Sequence, residues 1–200
     1  MHSVLGDLKF CLTYLDDIII FSVTWREHLQ HLREVLTRLL QHKLFAKASK
    51  TTIGAEMIRF LGHIVSKDQI RADPVKVQAM VNFGEPRNAR ELKSFLGATG
   101  FFRKFIKDYA ALALPLSRLL KHGLRFHFGD DERASFQLLK QAMVSAPVLV
   151  MPDMAKQFVV TADASAFALG AVLTQDHGSG QQPIAFYSRK LKPPEVNYGH

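Results

Sequence analysis

Asp16 and Asp17 stand side by side between two apolar, β-branched runs, Cys11-Leu12-Thr13-Tyr14 and Ile18-Ile19-Ile20-Phe21. Runs of that kind around a short polar pair read as a tight hairpin with both carboxylates at its tip. Adjacent carboxylates between buried strands repel each other and lose solvation. Binding a divalent cation through hard oxygen donors is one reason to keep them there. An ordinary Asp-containing turn is the other reading. Two further groups carry atoms suited to metal chemistry. His28 and His31 are three apart on a helical pattern, where the plainer reading is the polar side of an amphipathic helix. Asp130-Asp131 opens a helix, where acids complement the positive end of the helix dipole.

The elements that must position these groups follow from periodicity and caps. Thr24 and Glu27 form a capping box ahead of Leu29, Leu32, Val35, Leu36, Leu39 and Leu40, which predicts a helix over 25–42 with its Leu face on the hairpin's sheet. Leu44-Phe45-Ala46 reads as a short strand. A second hairpin comes next: an apolar strand over 57–65, a turn at Ser66-Lys67-Asp68-Gln69, and a return along Ile70-Arg71-Ala72. Asp73-Pro74 opens a short helix. Asn88 and Glu91 cap another, with Leu92, Phe95 and Leu96 on one side. A break at Tyr109-Ala110-Ala111 precedes a helix over 112–120. Phe126-His127-Phe128 is a candidate strand, and 134–145 is helical. Met151-Pro152-Asp153 reads as a linker. Beyond it the period switches to two, giving strands over 158–163, 168–174 and 183–188. The fold class is α+β.

Composition bounds the partners. The chain has 200 residues, 48% hydrophobic, enough for a real core. Its one cysteine, Cys11, excludes an internal disulfide and a Cys-based zinc site, which suits a reducing compartment. No apolar run approaches the roughly 20 residues of a membrane span, and no signal layout opens the chain, so a cytoplasmic or nuclear location without membrane contact is expected. The net charge of +8 is uneven: +2 over residues 1–66, +7 over 67–125 and −1 over 126–200. Phe83, Phe95, Phe101, Phe102, Phe105 and Tyr109 are interleaved with the excess. That combination fits contact with a nucleic-acid backbone, and it also fits a solvated face over a Phe-rich core.

Several separated motifs agree on one family. Tyr14-Leu15-Asp16-Asp17 with Ile18-Ile19-Ile20-Phe21-Ser22 resembles the palm signature of reverse transcriptases. Phe60-Leu61-Gly62-His63-Ile64-Val65-Ser66 resembles the hairpin that grips the primer. Glu91-Leu92-Lys93-Ser94-Phe95-Leu96-Gly97 and Phe102-Arg103-Lys104-Phe105-Ile106 resemble the segment after it. Thr161-Ala162-Asp163-Ala164-Ser165, Gly170-Ala171-Val172-Leu173 and Ser188-Arg189-Lys190-Leu191 resemble the opening of an RNase H domain. Their order and spacing are similar to the polyprotein of Ty3/gypsy-type LTR retrotransposons across almost the whole chain.

The resemblance implies a division into residues 1–66 (the C-terminal palm with its primer-grip hairpin), 67–150 (a helical thumb and connection) and 151–200 (the start of an incomplete RNase H sheet). It implies RNA-directed DNA polymerase and ribonuclease H chemistry, with Mg²⁺ or Mn²⁺ as cofactor. Asp16 is then the principal metal ligand, Asp17 the second acid, and Asp163 the first aspartate of the nuclease. Tyr14, Phe60, Leu61, Gly62, His63, Arg90, Lys93, Arg103 and Lys104 are implied contacts to an RNA or DNA template–primer. Deoxynucleotides and the rest of a polyprotein are the other implied partners.

The chain begins just before the Asp-Asp hairpin and ends at Val196-Asn197-Tyr198-Gly199-His200, about where the family's next catalytic glutamate follows; Glu195 does not replace it. Both active sites are therefore expected to be cut, and this chain alone is expected to turn over neither substrate. A non-catalytic, nucleic-acid-binding remnant of a decayed element is the alternative. Missing palm strands are also expected to leave open sheet edges, an aggregation hazard.

Overall fold

The computed structural model describes residues 1–121, 123–192 and 194–195, so the terminal stretch 196–200 lies outside the described residues. The chain divides into two compact units, Met1–Glu56 and Met57–His200.

The first unit contains a one-turn helix α1 (His2–Leu5), strands β1 (Cys11–Tyr14) and β2 (Asp17–Ile20), and helix α2 (Trp25–Gln41). The strands pair antiparallel, with Tyr14 opposite Asp17. Both halves of the expected capping box are made: Thr24 Oγ1 accepts from Glu27 N at 3.3 Å and Glu27 Oε2 accepts from Thr24 N at 3.0 Å. Leu5, Leu8, Cys11, Val35 and Leu39 form the core, with Ile18 and Ile20 packed against it. The Leu face of α2 is only partly covered, since Leu29, Leu36 and Leu40 are exposed. A two-stranded ribbon is too narrow to cover the whole apolar stripe. Leu44-Phe45-Ala46 is not a strand; Leu44 packs into the core while Phe45 is exposed, and no neighbouring strand offers a ladder among the described residues.

The second unit opens with β3 (Met57–Phe60), β4 (His63–Ser66) and β5 (Gln69–Ala72). The apolar run expected as one strand is folded back on itself at Leu61-Gly62, where φ is 47° and 74°. A left-handed pair is one arrangement that matches the strand twist across a two-residue loop, and Gly62 supplies half of it without strain. Helix α3 (Pro74–Val81) comes next, with Asp73 Oδ1 accepting from Val75 N at 3.0 Å as its cap. Helix α4 (Ala89–Phe101) is capped by Asn88, whose Oδ1 accepts from Glu91 N at 2.9 Å. A single 3₁₀ turn, Arg103–Phe105, leads on.

Helices α5 (Tyr109–Leu112) and α6 (Leu114–Arg118) replace the single helix expected over 112–120. The break falls at Ala113 because Pro115 has no N–H to continue the ladder, yet is suited to the first turn of a new helix. Phe126-His127-Phe128 is not a strand: its two Phe rings pack on the core, and among the described residues no strand pairs with it. Helix α7 (Asp130–Val144) begins as the acids indicate, with Glu132 Oε2 accepting from Gly129 N at 3.0 Å.

Strand β6 (Leu149–Val150) was not legible in the sequence. It pairs antiparallel with β5, placing Ile70 opposite Leu149, and completes a sheet ordered β3-β4-β5-β6. Strands β7 (Phe158–Ala164), β8 (Ala168–Asp176) and β9 (Gln181–Lys190) form a separate antiparallel meander. It is tied to the helices where Ala110 N donates to Ser188 Oγ at 2.9 Å. The segment before β7 is fixed by the buried Gln175: its Oε1 accepts from Asp153 N at 2.8 Å, and its Nε2 donates to Asp153 O at 2.7 Å.

The helical core gathers Leu92, Phe95, Ala113, Leu116, Phe136 and Leu139. The rings of Phe95 and Phe136 meet at 4.5 Å between centroids. Because Phe95 is fully buried at the centre of this cluster, Phe95→Ala is expected to cost about 3–5 kcal/mol through reduced burial and a cavity. Denaturant melts of wild type and variant measure it.

Candidate metal and nucleic-acid site

The Asp pair is displayed as the sequence implies, with a refinement. Leu15 and Asp16 form the two-residue turn, and Asp17 is the first residue of β2. Leu15 carries the left-handed conformation, φ 51°, that closes it. Both carboxylates are exposed, so the strands do not bury them. Among the described residues neither has an ion-pair or hydrogen-bond partner. Two unpaired hard oxygen donors on adjacent residues fit a divalent cation such as Mg²⁺. Among the described residues no group of three or more His, Cys, Asp or Glu side chains gathers. Tyr14, exposed, stands directly across from Asp17.

Just past β2, Ser22 Oγ is 2.7 Å from His31 Nδ1 and 3.3 Å from His28 Nδ1. The two histidines therefore pin the end of β2 to the first turns of α2, with Phe10 stacked on the His31 ring at 3.7 Å. This is a positioning contact for the hairpin.

In the second unit, Phe60, Leu61, Gly62 and His63 occupy the tip of the β3–β4 hairpin. Leu61 is outermost. A Cβ on Gly62 would stand 3.4 Å from the Phe101 ring and 3.7 Å from Phe102, so the glycine is held by the protein's own aromatic side chains. His63 points inward. It is 8% exposed, ringed by Phe101, Phe102 and Phe105 at 5.2–5.7 Å, and its Nε2 has no partner among the described residues. Burial, and then the Lys104 ammonium, push the His63 pKa below its ordinary 6.5, against the backbone of Leu61 and Phe60. Burial likewise lowers Lys104, which lies 5.2 Å over the Phe105 ring. Gly62 O accepts from Asp73 N at 3.0 Å, which anchors the tip to the start of α3.

Arg90 and Lys93 on α4, and Arg103 on the 3₁₀ turn, are exposed. Arg59, 3.9 Å from the Asp73 carboxylate, and Lys76, beside Gly62, are further exposed cations at this hairpin; single exposed cations leave no mark in hydropathy patterning.

Asp163 is exposed near the end of β7, opposite Gly170. The Asp108 carboxylate fills the space that a Cβ on Gly170 would need. Directly opposed residues of an antiparallel pair project to the same face, so Asp108 and Asp163 share it. Asp108 reaches this position with φ 54°. Only tertiary structure joins the two, 55 positions apart. Glu195 is bound elsewhere: it accepts from Arg189 Nη1 and Nη2 at 2.6 and 2.9 Å and from Lys192 N at 2.7 Å, which hold its carboxyl down at about 2.

Similarity to known families covers two stretches of the chain. Residues 1–65 match the family "Reverse transcriptase (RNA-dependent DNA polymerase)", and residues 128–200 match the "RNase H-like domain found in reverse transcriptase". Over 201 residues the chain is 42% identical to a retrovirus-related Pol polyprotein from transposon 297 of Drosophila melanogaster, covering 99% of this chain and 19% of that protein. It is 38% identical to the counterpart from transposon gypsy of the same organism, covering 95% and 19%. It is 31% identical to the transposon Tf2-3 polyprotein of Schizosaccharomyces pombe, covering 99% and 15%. The chain thus spans at most about a fifth of these relatives. Its fold is similar to that of a foamy viral protease-reverse transcriptase in complex with double-stranded DNA, with a TM-score of 0.87 at 24% identity over 99% of this chain and 35% of that one. A second structure of that enzyme, in complex with an RNA/DNA hybrid, gives 0.84 at 24% identity over 99% and 27%.

The lowered His63 pKa sets a direction with pH. Above about 6.5 the ring is neutral whether the chain is folded or unfolded. Below it the unfolded chain takes the proton first, so the second unit loses stability as the pH falls from 6.5 toward the lower folded value. His63→Phe is expected to flatten that part of the profile, read as the difference in Tm between variant and wild type from pH 7.5 to 5.

Proposed function

From a chain that belongs to the reverse transcriptase and RNase H family of gypsy-type retrotransposon Pol polyproteins, we propose a template–primer-handling segment of an RNA-directed DNA polymerase and ribonuclease H. The observation that carries this reading is the exposed Asp16-Asp17 pair, without a partner among the described residues, at a two-residue turn closed by the left-handed Leu15.

Asp16 and Asp17 would hold a divalent cation, with Asp16 as the principal ligand. Divalent ions so held stabilise the attacking and leaving oxygens of an in-line phosphoryl displacement. The turn presents both carboxylates to solvent, and the Ser22–His31 contact fixes the hairpin that bears them. Tyr14 and the Phe60–His63 tip meet the primer strand: Leu61 makes the outward contact, while His63 holds the turn from inside. Arg90, Lys93, Arg103 and Lys104 hold phosphates along the duplex. Asp163 plays the corresponding acid role for RNA cleavage. Two-ion chemistry takes more donors than the Asp pair supplies, so we assign turnover to a longer protein and hybrid binding to this chain.

Two measurements test the proposal. Primer extension on an RNA template with Mg²⁺ is expected to fail for the purified chain and for Asp16→Asn alike. Robust extension by wild type would overturn the assignment of turnover to a longer protein. Binding of an RNA/DNA hybrid is expected to weaken roughly a thousand-fold between 50 and 200 mM salt if about six phosphates are contacted. Absent or salt-independent binding would overturn the nucleic-acid reading.

A further inference from the structure

A second group of cations forms where α6 meets β9. Lys190, the last residue of β9, donates from Nζ to Ser117 Oγ on α6. Arg118, the last residue of α6, lies 5.6 Å over the ring of Phe167. Phe167 directly precedes Ala168, the register partner of Lys190. Lys121 stands three residues after Arg118. Partial burial, then the positive charges of Lys121 and Arg118, hold the Lys190 ammonium below the ordinary lysine range.

The neighbouring residue offers a contrast. Successive strand residues project to opposite faces. Arg189 meets the Glu195 carboxylate at 2.6 Å, whereas Lys190 faces two more cations. Among the described residues, no ion pair includes Arg118, Lys121 or Lys190. All three are exposed, as is Phe167. Like charges gathered without an acid work against the compact state. An anion seated among them removes that repulsion. Arginine suits it by presenting a planar fork that takes phosphate oxygens in pairs, and lysine by a compact charge. Ser117 fixes where the Lys190 charge sits.

We propose that Arg118, Lys121 and Lys190 form a phosphate-binding surface for a nucleic-acid backbone, bridging α6 and the β7–β9 sheet. This rests on the nucleic-acid reading above and adds contacts outside the Arg90, Lys93, Arg103 and Lys104 set. The ligand is the phosphodiester backbone of the hybrid proposed above, met by Arg118 at the end of α6, Lys121 just after it and Lys190 at the end of β9.

The test is the salt dependence of hybrid binding to the full chain, by fluorescence anisotropy with a labelled RNA/DNA duplex. The variants are Lys121→Gln, Arg118→Gln with Lys121→Gln, and, separately, Arg90→Gln with Lys93→Gln. Removing one phosphate-bound cation is expected to take about 0.9 from the slope of log K against log salt. Lys121→Gln should reduce the slope by about one such step and the Arg118/Lys121 pair by about two, with Tm unchanged or raised because repulsion is relieved. Lys121→Gln lies on an exposed turn and keeps the test valid should the double variant destabilise the fold. An unchanged slope in both cluster variants, with a reduced slope in Arg90/Lys93, overturns this surface and leaves hybrid binding standing. Wild type that binds nothing, or binds without salt dependence, overturns both.

Discussion

The contact between Phe95 on α4 and Phe136 on α7 governs the second unit. Two fully packed aromatic rings at 4.5 Å fix one helix against the other, and an offset or tilted aromatic pair contributes more than its buried area alone. The helical core of the unit gathers around that contact. Leu116 and Ala113 fill the space beside it, which requires the break between α5 and α6. Tyr109 lies over the same region, its hydroxyl donating to Leu96 O at 3.2 Å and sharing a 3.0 Å bond with Thr99. From the end of α7 the chain can reach β5 only along Leu149–Val150.

Two tight two-residue turns serve opposite ends, one with a single left-handed residue and one with two. Both close antiparallel strands across two residues, and both need a left-handed backbone. At Leu15-Asp16 the carboxylates are exposed and have no partner among the described residues, so charge faces water and any cation in it. At Leu61-Gly62 three phenylalanines and a buried histidine grip the turn from within. The first turn is a display and the second a clamp. The hairpins differ in their turns and in their sheets, and the second is gripped by aromatic residues that lie downstream of it in the chain.

Local chemistry was the readable part. The caps at Thr24, Asp73, Asn88 and Glu132 were legible because each needs only residues within three or four positions. The Asp pair was legible for the same reason, and the three-stranded meander announced itself through its change of period. The fold-back at Leu61-Gly62 was hidden because apolar residues continue on both sides of it and the first turn position is a leucine. Phe126 and Phe128 have strand-like types but no partner strand, so packing decided their state. Strand β6 is too short to show a period. The closeness of Asp108 to Gly170, and of Lys190 to Arg118, exists only through the packing of helices on the meander. No window along the chain contains it.

The pairing of Leu149–Val150 with Gln69–Ile70 joins positions about 80 residues apart, and a closure of that span is entropically costly before any contact rewards it. The β3–β5 meander and the capped helices can form early from local contacts, but the fourth strand of their sheet waits until α7 has docked. Among the described residues, this two-residue clasp is the long-range pairing of the sheet, whereas β3–β4 and β4–β5 are local. Until that clasp closes, β5 is an open edge able to pair with another chain. Once it forms, β3 and the two-residue β6 are the edges of that sheet, so a two-residue strand takes the edge position from four-residue β5.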